Sequence, residues 1–443
     1  MLESGVRSVS SHPDLSARSA AEPSRRRATY REEPLLRRAR LVGGLALFLP
    51  LLALTAAVIL NVYRTFDGIR RGFDYAGHID YLRYIDLTAS LPVASRGWQM
   101  YHPPAFYALT VLAFEAMHRL GALLTLTDAG RWMATTAWLL EGALAAAAVR
   151  ALRGNWVGAA IAAAIVWLLP GQSMMGTMVY NETLTGLGVA LVVVGGLSLK
   201  TSYRWAVVAI AIGAPLAALS KYSGVAAMAA ALPIILWVSR RRLLPLLAAL
   251  VPGTVMVGAY YGRNLALFGT PFPLNSLLFG LRNFDPIGWG HPPGFFTRFS
   301  LAPCSALQSF WGGLWKWFFA MDCYQLAPWR DTIRPRVMVG AVAISALLIL
   351  ALIFTALRLS RNPALALLPA IPAAVLAAFI WYVVRVPSAT ADKGVYTLSG
   401  LVPLAVAAGF FASRLTRRLP AAVVAYAAVA AWSVLMVHAS GVL

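Results

Sequence analysis

Four carboxylates, Asp67, Asp74, Asp80 and Asp86, fall within twenty residues of one another in a chain that has only twelve acids beyond its first forty residues. Asp74 and His78 are four apart, so on a helix they share a face, whereas Asp80 turns to another side. A carboxylate beside an imidazole can accept a proton from an attacking hydroxyl or hold a cation. A second acid, Glu182, stands alone between Glu141 and Asp285 and directly follows Asn181. Asn-Glu suits a helix N-terminus, where side-chain oxygens meet unsatisfied N–H groups and the positive end of the helix dipole. Capping and chemistry are both open to Glu182, and the two are compatible. Glu141 lies inside an apolar run. A carboxyl there is costly in a membrane, so it is expected to face the protein interior and pair with a neighbour for structure.

These residues are positioned by apolar elements. The 443 residues are 59% hydrophobic and only 12% charged, whereas a soluble domain carries about 25% charged residues. A soluble enzyme is excluded, and an all-α polytopic membrane protein is expected. The formal charge of +21 is not a nucleic-acid signature, because the basic residues sit in a tail and in short clusters between apolar runs, with no interleaved basic and aromatic face. Residues 1–40, with nine arginines and five acids, contain no apolar run and read as a disordered basic cytoplasmic tail. The run from Leu41 to Tyr63 is too long for a signal-peptide core and long enough to span. Later candidate spans are 132–149, 156–174, 183–199, 205–220, 222–238, 243–262, 336–357, 364–384, 397–413 and 420–437.

The segment 104–125 is apolar but interrupted by Glu115, His118 and Arg119. Charge settles its status. If it does not cross, the short loops at 150–155, 200–204, 239–242, 358–363 and 414–419 face the cytoplasm with 12 basic residues, against Lys221, Arg385 and Lys393 in the opposite short loops. If it crosses, the positive-inside rule is inverted throughout. The segment therefore reads as a surface helix. About 11 transmembrane helices follow, with the N-terminus cytoplasmic, two long outer loops at 64–131 and 263–335, and every acid beyond the tail except Glu141 on the outer side. The second long loop carries the aromatic run Phe310 to Phe319, suited to the membrane–water boundary. It also carries both cysteines, Cys304 and Cys323, in a compartment where disulfides form. A bridge and two separate thiols are equally compatible with the sequence.

The order of these motifs resembles the GT-C glycosyltransferases, specifically the branch of protein mannosyltransferases and aminoarabinose transferases. Asp74 with His78 resembles the acidic motif of that family's first outer loop. Tyr101-His102-Pro103-Pro104-Ala105-Phe106-Tyr107 resembles its His-Pro-Pro segment, which leads into a surface helix in the family. Asn181-Glu182 corresponds to the second acid, and Lys221-Tyr222-Ser223-Gly224, Arg263-Asn264 and Asp392-Lys393-Gly394-Val395-Tyr396 resemble later motifs. The likeness covers most of residues 41–400. It departs from the family at Tyr75, where many relatives have Glu, and at Glu182, where Asp is commoner.

The resemblance implies inverting transfer of a hexosyl or pentosyl group from a polyprenyl-phosphate donor to an acceptor hydroxyl at the outer face of a bacterial plasma membrane. Asp74 and Glu182 are the implied catalytic acids. His78, Asp80, His102, Lys221, Arg263, Lys393 and Tyr396 are the implied substrate-binding residues, with the three cations as candidates to stabilise the departing phosphate. No ligand set in the sequence requires a metal; a divalent ion, where one takes part, falls to Asp74 and Glu182. A polymerase or ligase of lipid-linked polysaccharide would share the compartment and the lipid phosphate. A transporter or flippase fits less well, since transporters place ionisable groups at the bilayer midplane and here only Glu141 lies there.

Overall fold

The computed structural model describes residues 46–65, 74–280, 290–300, 308–319, 335–386, 388 and 393–416. The 1–40 tail, Asp67, Asp285, Asp322, Asp331, Asp392, both cysteines and the expected span 420–437 lie outside the described residues. All regular structure among the described residues is helical. Four helical segments are long and apolar enough to cross a bilayer, Leu126–Ala151, Arg240–Phe268, Pro363–Arg385 and Gly394–Leu415, and six shorter apolar helices accompany them. Ten expected spans thus coincide with an apolar helix, and the chain is a multi-pass membrane protein.

In chain order the α-helices are α1 (Phe48–Thr65), α2 (Tyr75–Thr88), α3 (Ala105–Arg119), α4 (Leu126–Ala151), α5 (Trp156–Leu168), α6 (Pro170–Met175), α7 (Glu182–Ser198) and α8 (Tyr203–Ala218). They continue with α9 (Tyr222–Val238), α10 (Leu243–Phe268), α11 (Asn275–Phe279), α12 (Phe310–Phe319), α13 (Pro335–Ala356), α14 (Leu367–Arg385) and α15 (Leu401–Leu415). A 3₁₀ helix, Gly394–Gly400, runs into α15. Helix α5 packs between α4 and α15, α7 between α4 and α8, and α9 against α14.

The surface-helix reading of 104–125 matches the fold. Helix α3 has 15 residues and is not one of the ten apolar segments above. It packs on α2 and α4 through Phe106, Tyr107, Thr110 and Val111, while Leu109, Leu112 and Met117 remain exposed.

The expected single span at 156–174 is corrected by the structure. It is broken at Leu169, which adopts extended backbone (φ −69°, ψ 124°), and resumes as α6 with Pro170 in its first turn. Pro170 supplies no N–H and forces its predecessor out of the helical region. Hydropathy alone passes over this, because it does not report the backbone, although Pro170-Gly171 marks the break in the sequence. The break is enclosed in protein, where irregular backbone is tolerated at membrane depth: every residue from Gly158 to Gly186 is buried. It also places Gln172 so that its Nε2 donates to Glu141 Oε2 at 2.9 Å. Glu141 is 0% exposed, so the lone acid within a span pairs inside the protein as expected.

Close helix seams hold the frame together. A Cβ on Gly158 would sit 2.2 Å from the carbonyl oxygen of Gly409, and one on Gly409 2.3 Å from that of Gly158. Gly188 and Gly213 approach in the same way between α7 and α8, with a Cβ on Gly213 falling 2.6 Å from the Gly188 carbonyl. Without a hydrophobic drive between helices in lipid, small residues that admit backbone contact supply the packing. Gly158→Val is therefore expected to destabilise the protein by more than ~2 kcal/mol, since rigid backbone blocks the added methyls. The measurement is the melting temperature of purified protein in detergent; an unchanged value would show that α5 and α15 can separate at no cost.

Candidate active site

The segment that carries His102 is tied down from several sides. Pro103 and Pro104 offer no N–H, so Tyr101 and His102 present carbonyl oxygens to hydroxyl donors. Tyr222 Oη donates to the Tyr101 carbonyl at 2.7 Å. Tyr81 and Tyr260 Oη donate to that of His102 at 3.2 and 3.1 Å. The N–H of Ala105, first in α3, donates to the Leu219 carbonyl at 2.7 Å, which joins α3 to the end of α8. Buried carbonyls left without partners would each cost a hydrogen bond, so these tyrosines fix the place of the His-Pro-Pro turn.

His102 stacks on His78, with ring centroids 5.9 Å apart and planes 5° from parallel. His78 Nδ1 shares a hydrogen bond of 2.7 Å with Tyr107 Oη. Burial lowers the His78 imidazole to about 4; the carboxylate of Asp74 opposes that shift, and Lys221 and Lys393 add to it. Burial lowers His102 well below the ordinary range as well, with Lys221 and then His78 adding to it. Both rings are neutral at physiological pH.

Asp74 stands just before α2 at φ 55°, ψ 29°, a left-handed conformation that Asp and Asn tolerate better than other residues with a Cβ. Its Oδ2 lies 4.0 Å from Lys393 Nζ, with side-chain exposures of 29% for Asp74 and 6% for Lys393. Lys393 immediately precedes the 3₁₀ helix that opens α15.

Glu182, the first residue of α7, is buried, and its Oε2 accepts a hydrogen bond from Lys221 Nζ. Lys221 is the extended residue (φ −158°, ψ 157°) between α8 and α9. Its Nζ also lies 4.3 Å from the ring centre of Tyr396 and 4.9 Å from that of Tyr180, positions where a ring quadrupole attracts a cation. Burial raises the Glu182 carboxyl and lowers the Lys221 ammonium, each against the attraction of the other. Asn181-Glu182 opens a helix as the sequence suggested, with Asn181 in the N-cap position and Glu182 first in the helix, but the Asn181 side chain makes no cap bond and instead donates from Nδ2 to the Ser220 carbonyl at 2.8 Å. That bond fixes the loop that carries Lys221 beside α7.

Asp74, His78, His102, Glu182, Lys221, Lys393 and Tyr396 thus converge at one end of the bundle. Asp80 does not join them: it is exposed and lies 4.0 Å from Arg83. Arg263 also stands apart, because its guanidinium donates to the carbonyls of Pro92 and Leu91 at 3.0 and 3.3 Å and so ties α10 to the turn after α2. Sequence reasoning missed Tyr107, which holds His78, and Tyr180, which lies beside both Lys221 and His78. Tyr107 closes the His-Pro-Pro segment and Tyr180 directly precedes Asn181-Glu182, so adjacency to the motifs was the available signal. Among the described residues no three His, Cys, Asp or Glu side chains converge as a metal site.

The cluster opens onto an apolar cleft of about 340 Å³. Lys221, His102 and Tyr396 line it on the charged side, and Val225, Ala229 and Val375 lie deeper along its walls. From Tyr222 to Ala229 the cleft follows α9 for seven residues, about 10 Å at the helical rise. Facing it on α14 are Val375, Ala378, Phe379 and Tyr382.

His78 makes the stability of this cluster depend on pH. Its folded pKa lies below the unfolded value of 6.5, so the unfolded chain binds the proton more readily. The stabilisation from burying the neutral ring is complete above pH 6.5 and is lost as pH falls towards 4. The melting temperature is expected to hold between pH 8 and 7 and to decline below 6.5. In His78→Gln the slope should shrink by about one proton, and an identical slope in the variant would contradict a neutral buried ring.

No protein-family model matches the sequence, and no curated protein does. Solved structures similar to this chain include two of the same protein. One is the crystal structure of ArnT from Cupriavidus metallidurans bound to undecaprenyl phosphate, at 19% identity over 86% of this chain and 63% of that one, with a TM-score of 0.44. The other is the crystal structure of ArnT from the same organism in the apo state, at 18% identity over 81% of this chain and 76% of that one, with a TM-score of 0.38. The chain spans less than two thirds of the length of the first.

Proposed function

We propose that this protein is a membrane glycosyltransferase that moves a sugar from a polyprenyl-phosphate donor to an acceptor hydroxyl at the outer face of the bacterial plasma membrane, with inversion at the anomeric carbon. The observation that carries the reading is the junction of a buried lysine, Lys221, with an apolar cleft between α9 and α14; Lys393, also buried, stands beside Asp74 in the adjoining cluster. An amphiphile with a single anionic head and a long apolar tail matches that junction: the phosphate meets the ammonium groups while the tail follows the cleft.

Asp74, the partly accessible acid of the cluster, takes the proton from the acceptor hydroxyl as its oxygen bonds to the anomeric carbon. The bond from that carbon to the phosphate oxygen breaks with its electron pair, and the polyprenyl phosphate leaves beside Lys221 and Lys393. Fixed cations in a water-poor site stabilise the departing charge without reorganising. Glu182 holds Lys221 in place, and the neutral rings of His78 and His102 shape the wall without adding charge. A divalent ion serving this site would be held by Asp74 and the donor phosphate, since Glu182 is engaged by Lys221; magnesium is commonly bound by one carboxylate and substrate phosphates.

The test is transfer in proteoliposomes from radiolabelled polyprenyl-phosphate sugars to extracted envelope acceptors. Label moved to an acceptor with release of polyprenyl phosphate supports the reading. Movement of the intact labelled lipid between leaflets, with the sugar never leaving its carrier, would replace it with a flippase.

A further inference from the structure

The opposite end of the bundle holds a second built groove that the proposed transfer does not use. Helix α7 starts at Glu182 and ends at Ser198, so its far end lies about 25 Å from the charged cluster at the helical rise. There a groove of about 450 Å³ is lined by Arg153, Lys200, Arg358, Arg361 and Arg414. These five cations come from four separate stretches: the turn after α4, the loop after α7, the turn after α13 and the last turn of α15. No carboxylate lines the groove among the described residues. An adjoining groove shares Lys200 and adds Arg240, Arg241 and Arg242.

The positive-inside rule accounts for arginines in the loops on this side, but it acts on each loop separately and does not require their convergence. The local structure works to converge them. Arg153 takes the left-handed conformation at φ 57°, although Gly154, free of that penalty, is its neighbour. The guanidinium of Arg358 lies 4.3 Å from the ring centre of Phe354, and that of Arg414 lies 5.1 Å from that of Phe410; both contacts orient the group along its helix. Between the cations the groove wall is apolar, with Leu152, Leu197, Leu365 and Phe410. Asn362 adds a buried side-chain carbonyl with no hydrogen-bond partner among the described residues; as an acceptor it suits a hydroxyl of a headgroup and not its phosphate.

We propose that this groove is a binding site for phosphate groups, occupied by the headgroup of an anionic phospholipid whose acyl chains lie against the apolar wall. Basic pockets between transmembrane helices suit such headgroups. Five cations with no carboxylate among the described lining residues fit more than one phosphate charge, so a two-phosphate headgroup is held more tightly than a single phosphate. A soluble polyphosphate would use the same cations and leave the apolar wall bare. The site is independent of the transfer reading, because it involves none of the residues of the charged cluster.

Native mass spectrometry of the purified full-length protein, exchanged into phosphatidylcholine vesicles with or without phosphatidylglycerol or cardiolipin, reads the retained lipid directly. Thermal stability with millimolar inorganic pyrophosphate forms the second arm. The expected result is retention of cardiolipin over phosphatidylglycerol and of both over phosphatidylcholine. Arg153→Gln combined with Arg361→Gln should weaken retention about tenfold or more. Arg83→Gln, an exposed cation at the other end of the bundle, controls for general charge and should leave retention unchanged. Stabilisation by pyrophosphate that the double variant abolishes, without selective lipid retention, would assign the phosphate site to a soluble ligand. Equal retention of zwitterionic and anionic lipid, or the same retention in the double variant with no response to pyrophosphate, would overturn the proposal. A melting temperature of the double variant in detergent within a few degrees of wild type shows that the loss is of binding and not of fold.

Discussion

Asp74→Asn leaves the protein folded and lowers sugar transfer by about 10²- to 10⁴-fold, the contribution of a positioned general base. Asparagine is the informative replacement because it tolerates the left-handed backbone at φ 55°, whereas alanine would add strain to the loss of the carboxylate. The variant retains Lys221 and Lys393 for the donor phosphate, so the loss should fall on kcat, with KM for the lipid donor changed severalfold at most. Initial rates across donor concentrations in proteoliposomes separate the two constants. Transfer at wild-type rate would remove Asp74 from the role of base and leave Glu182 as the next acid in the cluster. A loss confined to KM would make Asp74 a binding group. Donor binding without turnover is the pattern that a base predicts.

The second large effect concerns the buried pair of Glu182 and Lys221. Removing one member strands the other's charge in a site closed to water, which costs roughly 3–5 kcal/mol. Glu182→Gln and Lys221→Met should therefore each lower the melting temperature and the yield of folded protein. Combined, they remove both charges, and the double variant should recover most of the stability, because a buried ion pair contributes little over apolar groups that fill the same space. Activity should not recover with it, since the ammonium that faces the donor phosphate is gone. A double-variant cycle in thermal stability, with transfer rates on the same preparations, makes the comparison. Additive destabilisation would mean that the pair is not coupled. Activity restored along with stability would show that Lys221 serves only the fold.

Asp74 and His78 were legible as neighbours in sequence, but not as a pair on one helix face: the helix begins only at Tyr75, Asp74 stands before it in a left-handed conformation, and the imidazole is held by Tyr107. His102 was legible through the prolines beside it, which mark a rigid turn in any context. The bundle's helices were legible from hydropathy, because apolar length alone decides a membrane helix. What resisted reading depends on tertiary contact. Arg263 and Lys221 look alike as cations at helix ends, yet one is engaged by the carbonyls of Leu91 and Pro92 and the other turns towards Glu182. Only the packing of distant segments separates those fates. Asn181 had the residue type of a cap but found a better partner in the Ser220 carbonyl. Tyr107 and Tyr180 gave only their adjacency to the motifs as a sign, because aromatic residues are common in such a chain and their ring contacts form across helices. The break at Leu169 was signalled by Pro170-Gly171 but passed over, because mean hydropathy stays high across it.

The interrupted ladder at Leu169 and Pro170 bears on how the protein is assembled. Its freed backbone groups cannot be left facing hydrocarbon, where each costs several kcal/mol. A nascent segment reaching the bilayer after α5 therefore cannot adopt the final bend alone. Trp138 of α4 satisfies the Val166 carbonyl, but α6 also packs on α12 and on the 3₁₀ helix Gly394–Gly400, and α5 packs on α15, all synthesised later. The bend should thus reach its enclosed form only after the ribosome has passed Leu415. A ribosome-bound chain stalled before α12 should expose Gln172 to crosslinking with the insertion machinery, and one released after α15 should not.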